Sequence, residues 1–339
     1  MWGSKVSAYG SRRRKSSSVA VLAATAAALA GAALPVMAAD IYEIGLPQPV
    51  TAIRKTDDAS YVVIGTEIFQ LVACETPEGV CLSTTSDAGE LPNAPKGALP
   101  DGHVAIAHEG DIRNAWYARP TERYAHGVLG DAIEGGSLVV VTGKGGKHEF
   151  VLPENQVFED ITPRIRDLDG DGANEVVAIR SSLTGGSAVA IYGLRDGELA
   201  ELGASSENGA PNRWLNVAAI VVEATGKATV YAVRTPHIGG QLFSLSYSSG
   251  AVTESATLAT DVSNHVIGSR ELGLAAAGDL DGSGKLELVI PSQDRTKLRF
   301  PLSQRPDIAL PGAVDKAMAI INGRIVTATA DGKLLAIQP

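Results

Sequence analysis

Cysteine is scarce in this chain of 339 residues, with only Cys74 and Cys81 present. Their spacing is not Cys-x-x-Cys, which argues against a redox pair, and in an oxidising compartment two lone cysteines pair with each other. Thr76-Pro77-Glu78-Gly79 between them reads as a turn, so the bridge staples the end of a hairpin. A ring of this size contributes roughly 2–3 kcal/mol through chain entropy. Aromatic residues make up 5% of the chain, which weakens a sugar-stacking surface without excluding one. Nucleophile and phosphate motifs are missing: there is no Gly-x-Ser-x-Gly, no His-Glu-x-x-His and no phosphate loop. Ser181-Ser182-Leu183-Thr184-Gly185-Gly186 is a polar turn rather than a nucleotide cradle.

Acidic residues are absent from the first 39 positions. Arg12, Arg13, Arg14 and Lys15 precede an Ala/Val/Leu run from Val19 to Leu34, and Val36-Met37-Ala38 follows. A basic start, a short apolar stretch and small residues at the cut describe a secretory signal peptide over residues 1–39, cleaved after Ala38 or Ala39. The alternative, an uncleaved anchor, suffers because the stretch is Ala-rich and short of the ~20 apolar residues of a span. The paired arginines do not have the apolar residues right after them that a twin-arginine signal has. Past the leader no apolar run is long enough to cross a bilayer.

With the leader removed, 24 basic side chains stand against 38 acidic ones, a net charge of −14. That argues against nucleic acid and anionic membrane as partners, since both need a basic surface. It fits a secreted or periplasmic protein, monomeric and kept soluble by charge, that holds cations.

Helical periodicity is equally hard to find after the leader. Short alternating or apolar runs dominate: Tyr61–Gly65, Glu67–Ala73, Ser137–Thr142, Ser187–Tyr192, Ala228–Val233, Gln241–Tyr247, Arg324–Ala330 and Lys333–Ile337. Gly, Pro, Asn and Asp punctuate them, so residues 40–339 are all-β, as a sandwich, barrel or propeller.

Two acidic loops decide among these. Asp167-Leu168-Asp169-Gly170-Asp171-Gly172-Ala173-Asn174-Glu175 runs into Val176-Val177-Ala178-Ile179, and Asp279-Leu280-Asp281-Gly282-Ser283-Gly284-Lys285-Leu286-Glu287 runs into Leu288-Val289-Ile290. Oxygen-bearing side chains recur at positions 1, 3, 5 and 9, with Gly at 4 and 6. Ca²⁺ is a hard cation that takes six to eight oxygens, and glycine permits the backbone angles that wrap such a loop. The alternative is an Asp-Gly hairpin turn without an ion. An EF-hand needs a Glu at position 12 and flanking helices; position 12 is Ala178 or Ile290, each inside a strand-like run.

These residues resemble the FG-GAP/VCBS repeat, the unit of integrin-α-type β-propellers. The resemblance is specific over residues 163–180 and 274–290. It implies that each loop joins the first two strands of a blade and holds one Ca²⁺. It further implies Asp167, Asp169, Asp171 and Glu175 as ligands at the first site, and Asp279, Asp281, Ser283 and Glu287 at the second. Gly172, Gly226 and Gly284 repeat at spacings of 54 and 58. The middle copy, Val221–Gly226, keeps the strand without the oxygens, and Gly130–Gly136 ahead of Ser137–Thr142 reads as another eroded copy. The count gives a propeller of six blades, with seven the alternative. Closure pairs Ile41–Ile44 with Lys333–Ile337, which removes exposed strand edges.

In such a blade the calcium loops lie on one face. The connections between second and third strands, and the links between blades, lie on the other. His126, Arg213, Trp214, His237, His265, Arg270, Glu271 and Arg295 all fall on that second face. Each has a duller reading, with Trp214 as a packing plug, the arginines bonded to loop carbonyls and the histidines structural. The expected function is an exported, calcium-stabilised binding module presenting this face to a protein or saccharide. The alternative is a carbohydrate-active lyase or hydrolase with its site on the same face. A deep axial pocket with a carboxylate or histidine of shifted pKa favours the enzyme, and a flat face with satisfied arginines favours the binder.

Overall fold

The computed structural model describes residues 39–56, 58–248 and 250–339, so the signal-peptide reading lies outside the described residues. These residues contain no α-helix, and none of their segments is a helix long and apolar enough to cross a membrane. Six four-stranded antiparallel blades follow one another along the described chain, forming a β-propeller.

Blade 1 comprises Val50–Lys55, Ser60–Ile64, Glu67–Ala73 and Val80–Thr84. Blade 2 comprises Ala105–Ile106, Ile112–Thr121, Glu134–Thr142 and Lys147–Val151. Blade 3 comprises Arg164–Arg166, Glu175–Ser182, Gly186–Arg195 and Glu198–Ala204. Blade 4 comprises Leu215–Val222, Ala228–Arg234, Gln241–Ser248 and Ala251–Glu254. Blade 5 comprises Ala276–Asp279, Leu286–Pro291, Lys297–Arg299 and Ile308–Ala309. Blade 6 takes Ala319–Ile321, Arg324–Ala328 and Leu334–Gln338 from the C-terminal end and Asp40–Ile44 from the N-terminal end. The expected closure is present, with Ile41 opposite Ile337 and Ile44 opposite Leu334.

Strands buried on both faces read as near-continuous apolar runs, and Val176–Ile179 and Val189–Tyr192 are fully buried for that reason. Hydrophobic clusters join successive blades. Ile191 with Phe243 bridges blades 3 and 4, Leu242 with Ile290 bridges 4 and 5, Val289 with Leu335 bridges 5 and 6, and Val62 with Val326 bridges 6 and 1. Blades 2 and 3 also share a sheet through Gln156–Phe158, which pairs with both.

One reading of the repeats is corrected. The eroded copy assigned to Gly130–Gly136 is no first-to-second-strand loop. Glu134–Thr142 is the third strand of blade 2, behind Ile112–Thr121, and the loop matching the acidic ones lies at 107–111. The consecutive glycines at 135 and 136 mark close packing inside the sheet, where an added Cβ would meet Tyr117 or Arg119. Arg123–His126 therefore lies between second and third strands, which still places it on the face opposite the acidic loops.

Candidate functional site

The two acidic loops share a wrap. Asp167 accepts from the N–H groups of Gly170 (2.7 Å) and Gly172 (2.9 Å), and Asp279 accepts from those of Gly282 and Gly284 (both 2.8 Å). The glycines at positions 4 and 6 have positive φ, between 76° and 90°, where a side chain would be strained. In the first loop, oxygens of Asp167, Asp169 and Glu175 all lie within 4.8 Å of one another, while Asp171 is exposed and accepts from Ala173 N–H (2.8 Å). The Oδ1 of Asp169 is buried and has no partner. Burial, then the charges of Asp169, Asp171 and Asp167, push the Glu175 carboxyl up to about 7. Hard oxygen donors, a buried oxygen without a hydrogen bond and mutual repulsion fit a divalent cation with oxygen preference.

The second loop differs at its ninth position. Glu287 is gripped by the guanidinium of Arg305, with Nη2 at 2.7 Å and Nε at 3.3 Å. Its carboxyl is held below the usual value, first by that contact.

Cys74 and Cys81 form a disulfide at the junction of the third and fourth strands of blade 1, as expected.

On the opposite face, the structure brings part of the anticipated set together. His237 Nε2 lies 2.7 Å from His265 Nδ1, and His265 Nε2 lies 2.8 Å from the carbonyl of Ser269. A carbonyl only accepts, so His265 carries its proton on Nε2 and accepts at Nδ1 from His237. His237 is then left with Nδ1 as an acceptor. Trp214 lies parallel to His237 (5.9 Å, 4°) and meets the edge of His265 at 4.6 Å. Its indole N–H donates to the Glu159 carbonyl (3.0 Å), so Trp214 is a packed wall. Burial holds both imidazoles down at about 4, hence neutral at neutral pH.

His237 and Arg295 line a cavity of about 550 Å³ between blades 4 and 5, with Asp261, Asp294 and Lys297 as further charged walls and Val266 and Ile267 as an apolar flank. Gln293 clamps this wall, donating to Pro236 O and accepting from Gly240 N–H, both at 2.8 Å. Asp294, bonded first by Ser292 Oγ, is held at about 2. Arg295 itself donates to Val314 O (3.1 Å). Ile267 is 66% exposed, and Ile238, next to His237, is 81% exposed.

The remaining anticipated residues serve other ends. Arg270 is bonded to Leu129 O and paired with Asp101 and Asp131, both at 2.7 Å. Glu271 accepts from Gly273 N–H (2.7 Å) and faces the charge of Lys55. Both anchor the connector ahead of blade 5. Arg213 is exposed. His126 lies near enough to His237 to depress it further, but its Nδ1 is engaged by Glu159 at 2.5 Å.

That contact leads to residues the sequence reading missed. Glu159 is fully buried and also accepts from Ser181 Oγ (2.5 Å) and Ser187 Oγ (3.3 Å). Phe158 pairs with Gly135, so the register places Glu159 opposite Glu134. Glu134 has a buried Oε2 without a partner, and burial, then Glu159, pushes its carboxyl up to about 10. The available signal was an acid at the mouth of an apolar strand, Glu134 before Gly135-Gly136-Ser137-Leu138 and Glu159 after Val157-Phe158.

No sequence-family model and no curated protein matches the chain. Solved structures similar to it include BamB from Moraxella catarrhalis, with 12% identity over 88% of this chain and 100% of that one and a TM-score of 0.30. The rhamnogalacturonan lyase of Bacillus licheniformis shares 14% identity over 80% of this chain and 54% of its own, with a TM-score of 0.43. An exotype rhamnogalacturonan lyase, YesX, shares 11% over 87% and 66%, with a TM-score of 0.41. At such identities and scores these likenesses say nothing of activity, and the propeller rests on the chain's own strand pairing.

Proposed function

We propose that this chain is an exported, calcium-stabilised β-propeller binding module of the FG-GAP/VCBS type, which takes a saccharide in the cavity between blades 4 and 5. The supporting observation is the cavity lining. His237 offers a neutral acceptor, Arg295 and Lys297 offer donors, Asp261 offers acceptors, and Val266 with Ile267 can lie against the C–H face of a sugar. Its volume falls within the range of small-molecule sites. The two lining groups displaced from their usual values, His237 and Asp294, are both displaced away from neutrality. A catalytic acid or base works best near the operating pH, so this lining suits hydrogen bonding rather than proton transfer.

Calcium belongs to the opposite face, held by Asp167, Asp169, Asp171 and Glu175. The ion neutralises the crowded carboxylates, and at 100-fold above its dissociation constant it adds about 2.7 kcal/mol to folding stability. Calorimetric titration with a panel of neutral and acidic oligosaccharides tests the ligand. His237→Ala should weaken the best binder by ~10-fold, the equivalent of one hydrogen bond, in a protein that still folds, though it melts lower because His265 Nδ1 loses its donor. A panel without a binder sets the saccharide reading aside.

One observation favours the second reading, a carbohydrate-active lyase or hydrolase. Glu134 and Glu159 are facing carboxyls raised by burial, the kind of pair that general acid–base chemistry uses. Glu159 bonds His126, and both carboxyls lie outside the cavity lining. Product release from an oligosaccharide, lost in Glu159→Gln, would establish it.

A further inference from the structure

The second acidic loop disagrees with the ion that its sequence implies. In the first loop the carboxylates are held by backbone N–H groups against their mutual repulsion. In the second, the position-9 carboxylate is already taken. Arg305 lies in the connection between the third and fourth strands of blade 5, which returns to the same face as the loop. Its Nη2 is 2.7 Å from Glu287 Oε1 and 3.7 Å from Asp281 Oδ2. Nε reaches the other Glu287 oxygen at 3.3 Å, so the grip is two-pronged. The Arg305 side chain is 20% exposed and that of Glu287 7% exposed, and the Phe300 ring lies 5.6 Å from the guanidinium carbon.

The rest of the blade is built around this arginine. Blade 3, which carries the first loop, turns between its third and fourth strands with only Asp196-Gly197, and Arg195 is turned away to Tyr247 Oη (3.1 Å). Blade 5 spends residues 300–307 on the same connection, enough chain to bring a long cationic side chain back over the loop. The ligand positions have changed in step, with Ser283 where the first loop has Asp171. Four carboxylates with one divalent ion, and three carboxylates with one guanidinium, both leave a balance of −2.

We infer that Arg305 is the resident cation of the second loop, that this loop holds no calcium, and that the chain binds one calcium ion rather than two. The first loop is the ion-dependent joint and the second is calcium-independent. That the count is one rests on the calcium site proposed for the first loop; the exclusion of calcium from the second loop does not.

Calcium stoichiometry of the full chain, measured by equilibrium dialysis and calorimetry, tests it. Wild type should bind one ion, and Asp279→Asn should leave that number unchanged. Asp169→Asn should bind none. Arg305→Met keeps the stem against Phe300 and frees Glu287, and it should bind two; Arg305→Lys, which keeps the charge, should stay at one. The double variant Asp169→Asn with Arg305→Met should bind one. Wild type binding two ions, with one lost in Asp279→Asn, overturns the inference. So does an unchanged count in a folded Arg305→Met protein. No ion in wild type but one in Arg305→Met would sink the reading of the first loop and uphold this one. If Arg305→Met does not fold, wild type and Asp279→Asn still decide.

Discussion

Glu175 and Glu287 occupy the same position in two loops of one design, yet burial among aspartates raises the first to about 7 while Arg305 lowers the second. Position in a motif is visible in a sequence; the neighbour that arrives from another connection is not. The same holds for the histidines, whose convergence on Trp214 needed the fold. At the first loop, chelation with EGTA should lower the melting temperature of wild type by several degrees, since 1 kcal/mol moves a chain of this size by about 2–4 °C. Asp169→Asn should melt lower and ignore EGTA; a wild type insensitive to EGTA excludes a structural ion. Glu134 carries a different signature. Its folded value, about 10, lies above its ordinary 4.5, so its stabilising contribution is complete below about 4.5 and is lost as pH rises toward 10. Glu134→Gln should therefore melt with wild type at pH 4 and several degrees above it at pH 8. Equal melting at both pH values would mean that the carboxyl is not held neutral.

Connections, rather than strands, distinguish the parts of this propeller. Residues 263–275, ahead of blade 5, run across the face opposite the acidic loops and tie four blades. Gly268 N–H bonds Val128 O at 2.8 Å, Asn216 Nδ2 bonds Leu272 O at 3.1 Å, Met318 N–H bonds Gly273 O at 2.9 Å, and Lys55 Nζ bonds Ala275 O at 3.3 Å. Such a segment reads as an ordinary polar linker, because its partners are scattered over the chain. The junction of blades 1 and 2 is the other exception. Among the described residues no buried hydrophobic cluster spans it; instead Tyr61 bonds Asp87 (2.6 Å) and Arg54 bonds Ala88 O (2.8 Å) and pairs with Glu90 (2.7 Å). Few buried apolar contacts mean low local opening energy. Hydrogen exchange should be fastest at 85–104, and Tyr61→Phe should speed it there at a cost of about 1 kcal/mol. A uniform increase across all blades would show that this seam is not a separate unit.

The propeller itself was legible because its signals are local and repeated: apolar runs bounded by glycines, two acidic loops at fixed distances from their strands, and a C-terminal run to pair with Ile41–Ile44. Blade 2 was misjudged because its own acidic loop is worn away, and a Gly-rich strand entrance resembled one. The cavity was half legible, since topology placed His237 and Arg295 on one face but could not show that Arg270 and Glu271 are consumed by the connector. The account as a whole assigns an ion to one face and a ligand to the other. Chemical-shift mapping of the full chain with calcium, then with the best saccharide of the panel, tests that division directly. Calcium should shift resonances at 167–175 and leave 279–287 and the cavity unmoved; saccharide should shift His237, Ile267, Gln293 and Arg295 and leave the acidic loops unmoved. Saccharide shifts clustered at the acidic loops, or none at the cavity, would contradict it.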